Sequence, residues 1–200
     1  MENEKQILLA IREDPWMMKI LAAAKTLDLP DWWICAGFVR TKAWDELHGF
    51  SKRTALGDID VIYFDPSSLD EMKEKVFEEK LDSLMPNLPW SVKNQARMHE
   101  VNQLPPYLSS VDAISKFPET ATALGVKLDD KNDLELTAPC GIEDLLQMEI
   151  KPTEYFKTNK QLWKIYENRL ENKKWKAKWP GVKVYGMDGR LKEAEGTVSL

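Results

Sequence analysis

Two aspartates alternate with branched apolar residues near position 60, and this pattern constrains the fold more than any other in the chain. Asp58 and Asp60 flank Ile59, and β-branched and aromatic residues continue to position 64. Such residues favour a β-strand, and side chains two apart on a strand project from the same face. The pattern predicts a strand over 59–64 that holds two carboxylates side by side and presents Ile59 and Val61 to the core.

Two readings of this aspartate pair stay open. The carboxylates repel each other, and a divalent cation would relieve the repulsion; Mg²⁺ binds through one or two carboxylates together with substrate phosphates. Alternatively, the aspartates belong to a solvent-facing strand edge that they keep soluble. The pair alone does not choose between them.

Composition narrows the class of protein. The 200 residues are 43% hydrophobic and 30% charged, with a formal net charge of -5, which favours a folded globular chain over a disordered one or a uniformly basic nucleic-acid coat. Cys35 and Cys140 are too far apart for a local metal motif, so we expect reduced thiols with no disulfide partner. No segment resembles a signal peptide or a membrane span, which favours a cytoplasmic protein with no membrane partner.

Hydrophobic periodicity predicts the elements of the first half. Two helices occupy the first 30 residues, the second beginning at Asp14 and Pro15. A buried strand over 32–36 leads through Gly37 into a helix over 39–47, and a further helix covers 68–84. Residues 90–98 alternate as a strand, with Asn94 on one face and Lys93, Arg97 and His99 on the other.

The second half continues the mixed pattern. Segments 120–128 and 134–137 read as a hairpin, although 120–124 fits a helix equally well. Residues 141–148 read as a short helix, 156–178 as a longer helix, and the last twenty residues as strand and tail. We expect an α+β fold with a mixed sheet flanked by helices. Its predicted parts are N-terminal helices over 1–30, a core over 31–152, and a C-terminal helix and tail over 153–200 in the same domain.

A glycine turn upstream of the aspartate pair bears on its function. A strand that ends in glycine and leads directly into a helix lets backbone amides approach a phosphate chain. This order of strand, glycine, helix, loop and Asp-hydrophobic-Asp strand resembles the DNA polymerase β-like nucleotidyltransferase superfamily, in particular the head domain of CCA-adding enzymes. A closer resemblance, to a family of bacterial nucleotidyltransferases, covers residues 32–179. It is carried by AGFVR (36–40), GDIDV (57–61), WSVKNQARMH (90–99) and APCGIEDL (138–145).

The resemblance implies roles for particular residues. Asp58 and Asp60 match the superfamily's catalytic pair, which holds two metal ions, Mg²⁺ or Mn²⁺, and Gly37 matches the glycine of the phosphate-approaching turn. Arg40 would meet phosphate oxygens, and Asn94 and Arg97 would join the nucleotide site. Lys42, near Arg40, reads better as part of an exposed helix face.

The chain departs from the superfamily pattern at two places. Phe38 stands where a serine or glycine usually follows the turn glycine, and 90–99 contains no third carboxylate on the inward face. Asn94 could ligate a metal through its amide oxygen but cannot act as a base. Glu135 is a possible substitute, although a solvated hairpin residue is the better reading.

The remaining candidates have stronger structural readings. His48 lies at a helix end, where it meets the helix dipole. The basic segment 157–178 could grip RNA or a nucleotide, but we favour a helix whose aromatic residues dock on the domain and whose lysines face solvent. Trp175 and Trp179 are the tryptophans that warrant a test for binding.

Three functions follow, in decreasing order of support. The first is a metal-dependent nucleotidyltransferase that moves a nucleotidyl group from an NTP to an unknown acceptor, RNA or a small molecule. The second is an inactive nucleotide- or RNA-binding module with the same fold, favoured by the missing third carboxylate. The third is a sugar-nucleotide glycosyltransferase, which normally needs a parallel sheet before the aspartate motif.

Overall fold

A computed structural model describes residues 1–192 of the chain. The final eight residues of the predicted tail lie outside the described part. A five-stranded mixed sheet in the order β3-β2-β1-β4-β5 forms the centre. Its strands are β1 (Trp33–Cys35), β2 (Ile59–Tyr63), β3 (Trp90–Asn94), β4 (Gly125–Leu128) and β5 (Leu134–Thr137).

The pairing directions define the topology. Strand β1 is antiparallel to both β2 and β4, β4 is antiparallel to β5, and β2 is parallel to β3. The expected α+β class with a mixed sheet is confirmed. Because β1 runs antiparallel to the aspartate strand, the parallel sheet that the glycosyltransferase interpretation needs is absent from residues 1–192.

Helices cover the sheet. Their bounds are α1 (Glu4–Arg12), α2 (Pro15–Lys25), α3 (Gly37–Leu47), α4 (Glu71–Leu84), α5 (Gln95–Val101), α6 (Ser110–Ser115) and α7 (Glu143–Leu146). As predicted, Asp14 caps α2, accepting hydrogen bonds from the backbone N–H groups of Trp16 and Met17. Within residues 1–192, no helix has both the length and the apolar character to cross a membrane.

The C-terminal part is broken into short elements. These are β6 (Glu149–Ile150), α8 (Glu154–Thr158), α9 (Trp163–Lys173), α10 (Trp175–Lys178) and β7 (Lys183–Val184), with single 3-10 turns at Thr120–Thr122 and Lys160–Leu162. The prediction of one helix over 156–178 is wrong. Lys174 adopts a left-handed conformation (φ 48°) between α9 and α10, and Asn159, between α8 and the following turn, has a non-helical backbone (φ -107°, ψ 89°).

The predicted strand over 90–98 is also wrong in its second half. Strand β3 ends at Asn94, whose side chain accepts a hydrogen bond from the backbone N–H of Ala96 and thereby caps α5. An N-cap asparagine satisfies a donor that a helix leaves free at its start. Lys93, Arg97 and His99 therefore do not share the face of one strand.

One large core lies between the sheet and the helices, and tryptophans contribute much of it. Trp44 of α3 is fully buried, and its ring packs edge-on against Trp179, with 5.2 Å between the ring centres. The Trp44 Nε1–H donates to the carbonyl of Leu145, and the Trp179 Nε1–H donates to Asp45. These contacts fix the C-terminal elements against α3.

Candidate active site

The turn between β1 and α3 presents unpaired backbone donors. Helix α3 begins at Gly37 without a side-chain cap, so its first N–H groups have no partner within the helix and form a positive end that attracts anions. Ala36, immediately before it, has φ 53° and ψ -113°. Non-glycine residues with such strained backbones cluster at functional sites. The strand-glycine-helix turn predicted at Gly37 is therefore present.

The aspartate pair lies against this turn. The Asp58 Oδ1 atom is 3.9 Å from the position that a Cβ would take on Gly37. Asp60 lies within β2, paired in register with Cys35 of β1 and Ser91 of β3. Asp58 is exposed, whereas Asp60 is half-buried. The two carboxylates therefore flank the anion-attracting end of α3.

Asp60 sits in an unfavourable environment for a charge. Burial, and after it the neighbouring charge of Asp58, raises the pKa of Asp60 to about 6, while the Ser91 hydroxyl, Lys173 and Arg169 act in the opposite direction. A bound cation would remove this conflict, because it favours the ionised form.

The structure gathers no third carboxylate around the pair. Within residues 1–192, no group of three or more His, Cys, Asp or Glu side chains is placed to hold a metal ion. Ser91, not Asn94, is the neighbour of Asp60 on β3. Glu135 lies on β5, at the far edge of the sheet from β3, where it pairs with Lys127, so it is not a substitute.

Arg40 supplies a positive charge to the same place. An Nη of Arg40 is 3.6 Å from the position of a Cβ on Gly37. Its guanidinium carbon lies 5.4 Å from the centre of the Trp44 ring and 5.5 Å from that of Trp179. Its Nε is buried without a hydrogen-bond partner. Burial lowers the pKa of Arg40 to about 10, so the group stays charged at neutral pH and retains donor capacity for a ligand.

The opposite wall of the cleft comes from the C-terminal elements. A cavity of about 160 Å³ opens between the turn, the aspartates and these elements. Its C-terminal lining consists of Arg169, Lys173, Trp175, Lys178 and Trp179. Trp175 and Trp179 are 3% and 1% exposed, so they anchor this wall, whereas Lys173 and Lys178 are exposed beside the carboxylates.

A buried ion pair holds Arg169 in place. Glu119 is fully buried and accepts hydrogen bonds from two nitrogens of Arg169, at 2.5 and 3.0 Å, and from the Thr122 hydroxyl at 2.8 Å. Glu119 precedes the 3-10 turn, and Arg169 lies on α9. The pair therefore ties α9 to the central domain next to the cleft.

Two of the residues that were expected to bind nucleotide, Asn94 and Arg97, lie outside the cleft. The Asn94 amide binds the backbone of Asp65 and Ser68 in addition to capping α5. Arg97 donates three hydrogen bonds to the buried Glu74 carboxylate, at 2.9 and 3.1 Å from one Nη and at 3.3 Å from Nε. Neither lines the cleft. Their hydrogen-bonding groups are already used in contacts that connect β2, α4 and β3.

The other sequence candidates have structural roles. Lys42 pairs with Glu46 and Asp14 on an outer face. The His48 Nδ1 lies 2.8 Å from the Trp44 carbonyl, and its Nε2 accepts from the backbone N–H of Gly181. His48 thus joins the end of α3 to the C-terminal segment.

A divalent metal fits the donor set in part. The two hard carboxylate oxygens suit Mg²⁺ or Mn²⁺, and burial together with the charge of Asp58 disfavours the ionised form of Asp60 when no cation is present. Two protein ligands leave most of the coordination shell to water and substrate phosphates, which is the usual mode for Mg²⁺. Asp58 and Asp60 are the residues that would hold it.

The cationic wall was the part of the site that sequence reasoning missed. The sequence pattern of the basic segment 157–178 predicts that its lysines face solvent, whereas Lys173 and Lys178 line the cleft. Arg169 and Lys173 are four residues apart and therefore share one face of α9; this spacing was the available signal.

The fold that carries this cleft identifies the structural class of the protein. In a comparison with solved structures, the chain is similar to an NMR structure described as revealing a CCA-adding enzyme head domain, with 38% identity, a TM-score of 0.84, and coverage of 93% of this chain and 97% of that one. It is also similar in fold to a CCA-adding enzyme in complex with CTP, with 17% identity and a TM-score of 0.50, over 84% of this chain and 42% of the enzyme. The chain thus has the fold of a CCA-adding enzyme head domain and spans about two fifths of that enzyme.

The amino-acid sequence identifies the family to which the chain belongs. A nucleotidyltransferase family profile matches residues 22–184. The chain belongs to this nucleotidyltransferase family, as the sequence motifs predicted. A comparison with curated proteins gives no match.

Proposed function

We propose that this protein is a metal-dependent nucleotidyltransferase that transfers a nucleotidyl group from an NTP to an acceptor hydroxyl. The observation that carries the proposal is one cleft in which two carboxylates, the uncapped end of α3 and the cations Arg40 and Lys173 converge. A triphosphate needs cationic and backbone N–H donors, and a metal needs the carboxylates.

The residues divide the work between binding and orientation. The α3 amides, Arg40 and Lys173 bind phosphate oxygens and offset their charge. Asp58 and Asp60 would hold Mg²⁺ or Mn²⁺, and the metal would supply positive charge that stabilises the charge developing on the α-phosphoryl group. In the transfer, the acceptor oxygen bonds to the α-phosphorus, the bond to the bridging oxygen breaks, pyrophosphate leaves, and the hydroxyl proton passes to water.

Titration with nucleotide and metal tests the proposal. We expect calorimetry to show NTP binding that needs Mg²⁺ or Mn²⁺ and is lost in Asp58→Asn and Asp60→Asn. The matched control is Asp130→Asn in the exposed β4–β5 loop, which should bind as the parent does. Absence of any NTP binding at millimolar concentration, with either metal, contradicts the proposal.

A second function is favoured by the absence of a third carboxylate within residues 1–192. A module that binds a nucleotide or RNA without catalysis would show the same metal-dependent binding. Pyrophosphate release separates the two. Release that depends on an added acceptor, whether RNA or a small hydroxyl compound, supports the transferase; binding without release under every acceptor condition supports the module.

A further inference from the structure

A second cavity lies beside the cleft and is larger than it. Its volume is about 630 Å³, within the range of cavities that enclose small ligands. Its walls come from α5 and the loop after it, from the end of α6, and from α8 and α9. Arg169 lines both this cavity and the cleft, so the two spaces adjoin at one side chain.

One face of α9 runs past both spaces. Ile165, Arg169 and Lys173 recur every four residues, and Ile165 lines the second cavity while Lys173 lines the cleft. Eight residues of helix rise about 12 Å. An extended ligand lying along this face would have one end among apolar residues and the other among the cations beside Asp60.

The cavity walls suit a planar, uncharged ring. Three aromatic residues, Tyr107, Phe117 and Phe156, contribute to the lining. Val101 and Ile165, which are 58% and 48% exposed, also line it. Aromatic and aliphatic walls of this kind favour stacking and apolar contact with a flat ring.

The polar groups of the cavity are amides rather than free charges. Gln95, Asn102, Gln103 and Gln161 line it, and no Asp or Glu does. Both of its cations are already paired, Lys116 with Asp112 and Arg169 with Glu119. Gln95 is 5% exposed, and the only hydrogen bond of its side chain within residues 1–192 is a long one of 3.4 Å, from Nε2 to the carbonyl of Lys93. Its Oε1 has no hydrogen-bond donor in that part of the chain and can therefore accept one from a ligand.

From these features we propose that the cavity binds the base of a nucleoside. Amide side chains donate and accept together, which matches the mixed donors and acceptors on the edges of bases, and the aromatic walls stack on the ring. The inference rests on the proposed nucleotidyl transfer for the link to the cleft. The base belongs either to the donor NTP or to a nucleoside-bearing acceptor, since both present the same ring.

Nucleoside binding without metal or NTP tests this cavity separately from the cleft. Adenosine, cytidine, guanosine and uridine are titrated into the intact protein, followed by saturation-transfer NMR. We expect binding of at least one nucleoside, reduced about tenfold or more in Ile165→Glu, which places an unpaired carboxylate against the ring. Leu9→Glu, at a similarly exposed site on α1, is the control and should leave binding unchanged.

A second variant keeps the test decisive if Ile165→Glu does not fold. Gln95→Leu keeps the size of the side chain, and it should weaken nucleoside binding or change the preference among the four bases. Circular dichroism and the thermal midpoint establish whether each variant is folded. Absence of nucleoside binding at millimolar concentration, or equal binding by the parent and both folded variants, overturns the inference. Loss of NTP binding in Asp58→Asn and Asp60→Asn alone does not overturn the inference, because those variants alter the cleft and not this cavity.

Competition identifies the source of the base. If the cavity holds the donor base, an NTP with Mg²⁺ displaces the nucleoside, and Gln95→Leu changes selectivity among the four NTPs. If it holds the acceptor, nucleoside and NTP bind together, and a short RNA competes with the nucleoside when the acceptor is an RNA end. Either result supports a base-binding cavity.

Discussion

At the scale of single residues, Asp60 shows the conflict between stability and function. Its carboxylate is half-buried next to Asp58, and this environment raises its pKa to about 6 from the ordinary 3.8. In an unfolded chain the group returns to its ordinary pKa. The folded, metal-free protein therefore bears a cost for ionising Asp60 that the unfolded chain does not.

Replacing Asp60 with Asn should stabilise the metal-free protein. A pKa difference of this size corresponds to about 1–3 kcal/mol in the free energy of unfolding. Because the folded pKa is raised, the cost is absent below pH 3.8, grows between the two pKa values and is complete above pH 6. Urea unfolding in the presence of a chelator should show the gain at pH 7 and lose most of it near pH 4. A less stable Asp60→Asn protein at pH 7 would contradict this assignment.

At the scale of elements, α9 is held by a contact that spans fifty residues of sequence. The Glu119 carboxylate is fully buried, and Arg169 and the Thr122 hydroxyl bind it. Removing one partner of a buried pair leaves the other charge uncompensated. The position of α9, and of the cleft wall that it carries, depends on this pair.

Truncating Glu119 should therefore be costly. We expect Glu119→Ala to lower the free energy of unfolding by about 3–5 kcal/mol. Glu135→Ala removes a carboxylate from a pair with Lys127 in which Glu135 is 47% exposed, and should cost about 1 kcal/mol or less. Chemical denaturation of the two variants under the same conditions makes the comparison. Equal losses would show that burial does not govern the Glu119 pair.

The contrast between local and distant contacts explains what the sequence could predict. The strand around Asp60 and the turn at Gly37 were predictable, because alternation and a glycine before a helix are local signals. Asn94 lies in β3 as predicted, but the end of the strand there was not predictable, because residues 95–98 continue the alternating pattern whereas the Asn94 side chain caps α5 through the Ala96 N–H. The approach of Arg169 to Asp60 depends on its partner Glu119, which no local pattern reveals.

At the scale of the whole molecule, the C-terminal elements close onto the N-terminal half through Trp179. This residue is 1% exposed, packs edge-on against Trp44 and donates to Asp45. Trp175, in α10, is buried beside it. The cleft therefore has one wall from the N-terminal half and one from the last part of the described chain.

Loss of the Trp179 side chain should affect the whole fold. Trp179→Ala is expected to lower the free energy of unfolding by about 3–5 kcal/mol and to weaken NTP binding, because the wall bearing Lys173 and Lys178 loses its anchor. Trp163→Ala, at a tryptophan that is 37% exposed, should change both quantities much less. Thermal unfolding and NTP titration of both variants test this prediction. Unchanged NTP binding by a folded Trp179→Ala protein would show that the site does not depend on this anchor.

The two-sided cleft has a consequence for the order in which the protein is made. The aspartates are synthesised well before Trp175 and Trp179, and at about 5–20 residues per second the interval is on the order of 10 s. During that time the nascent chain carries Asp58 and Asp60 with Arg40 but without the C-terminal cations Arg169, Lys173 and Lys178 that line the same cleft. A ribosome-bound chain that ends before α9 should form the sheet but not capture NTP, so nucleotide binding would report that α9 and α10 have been synthesised.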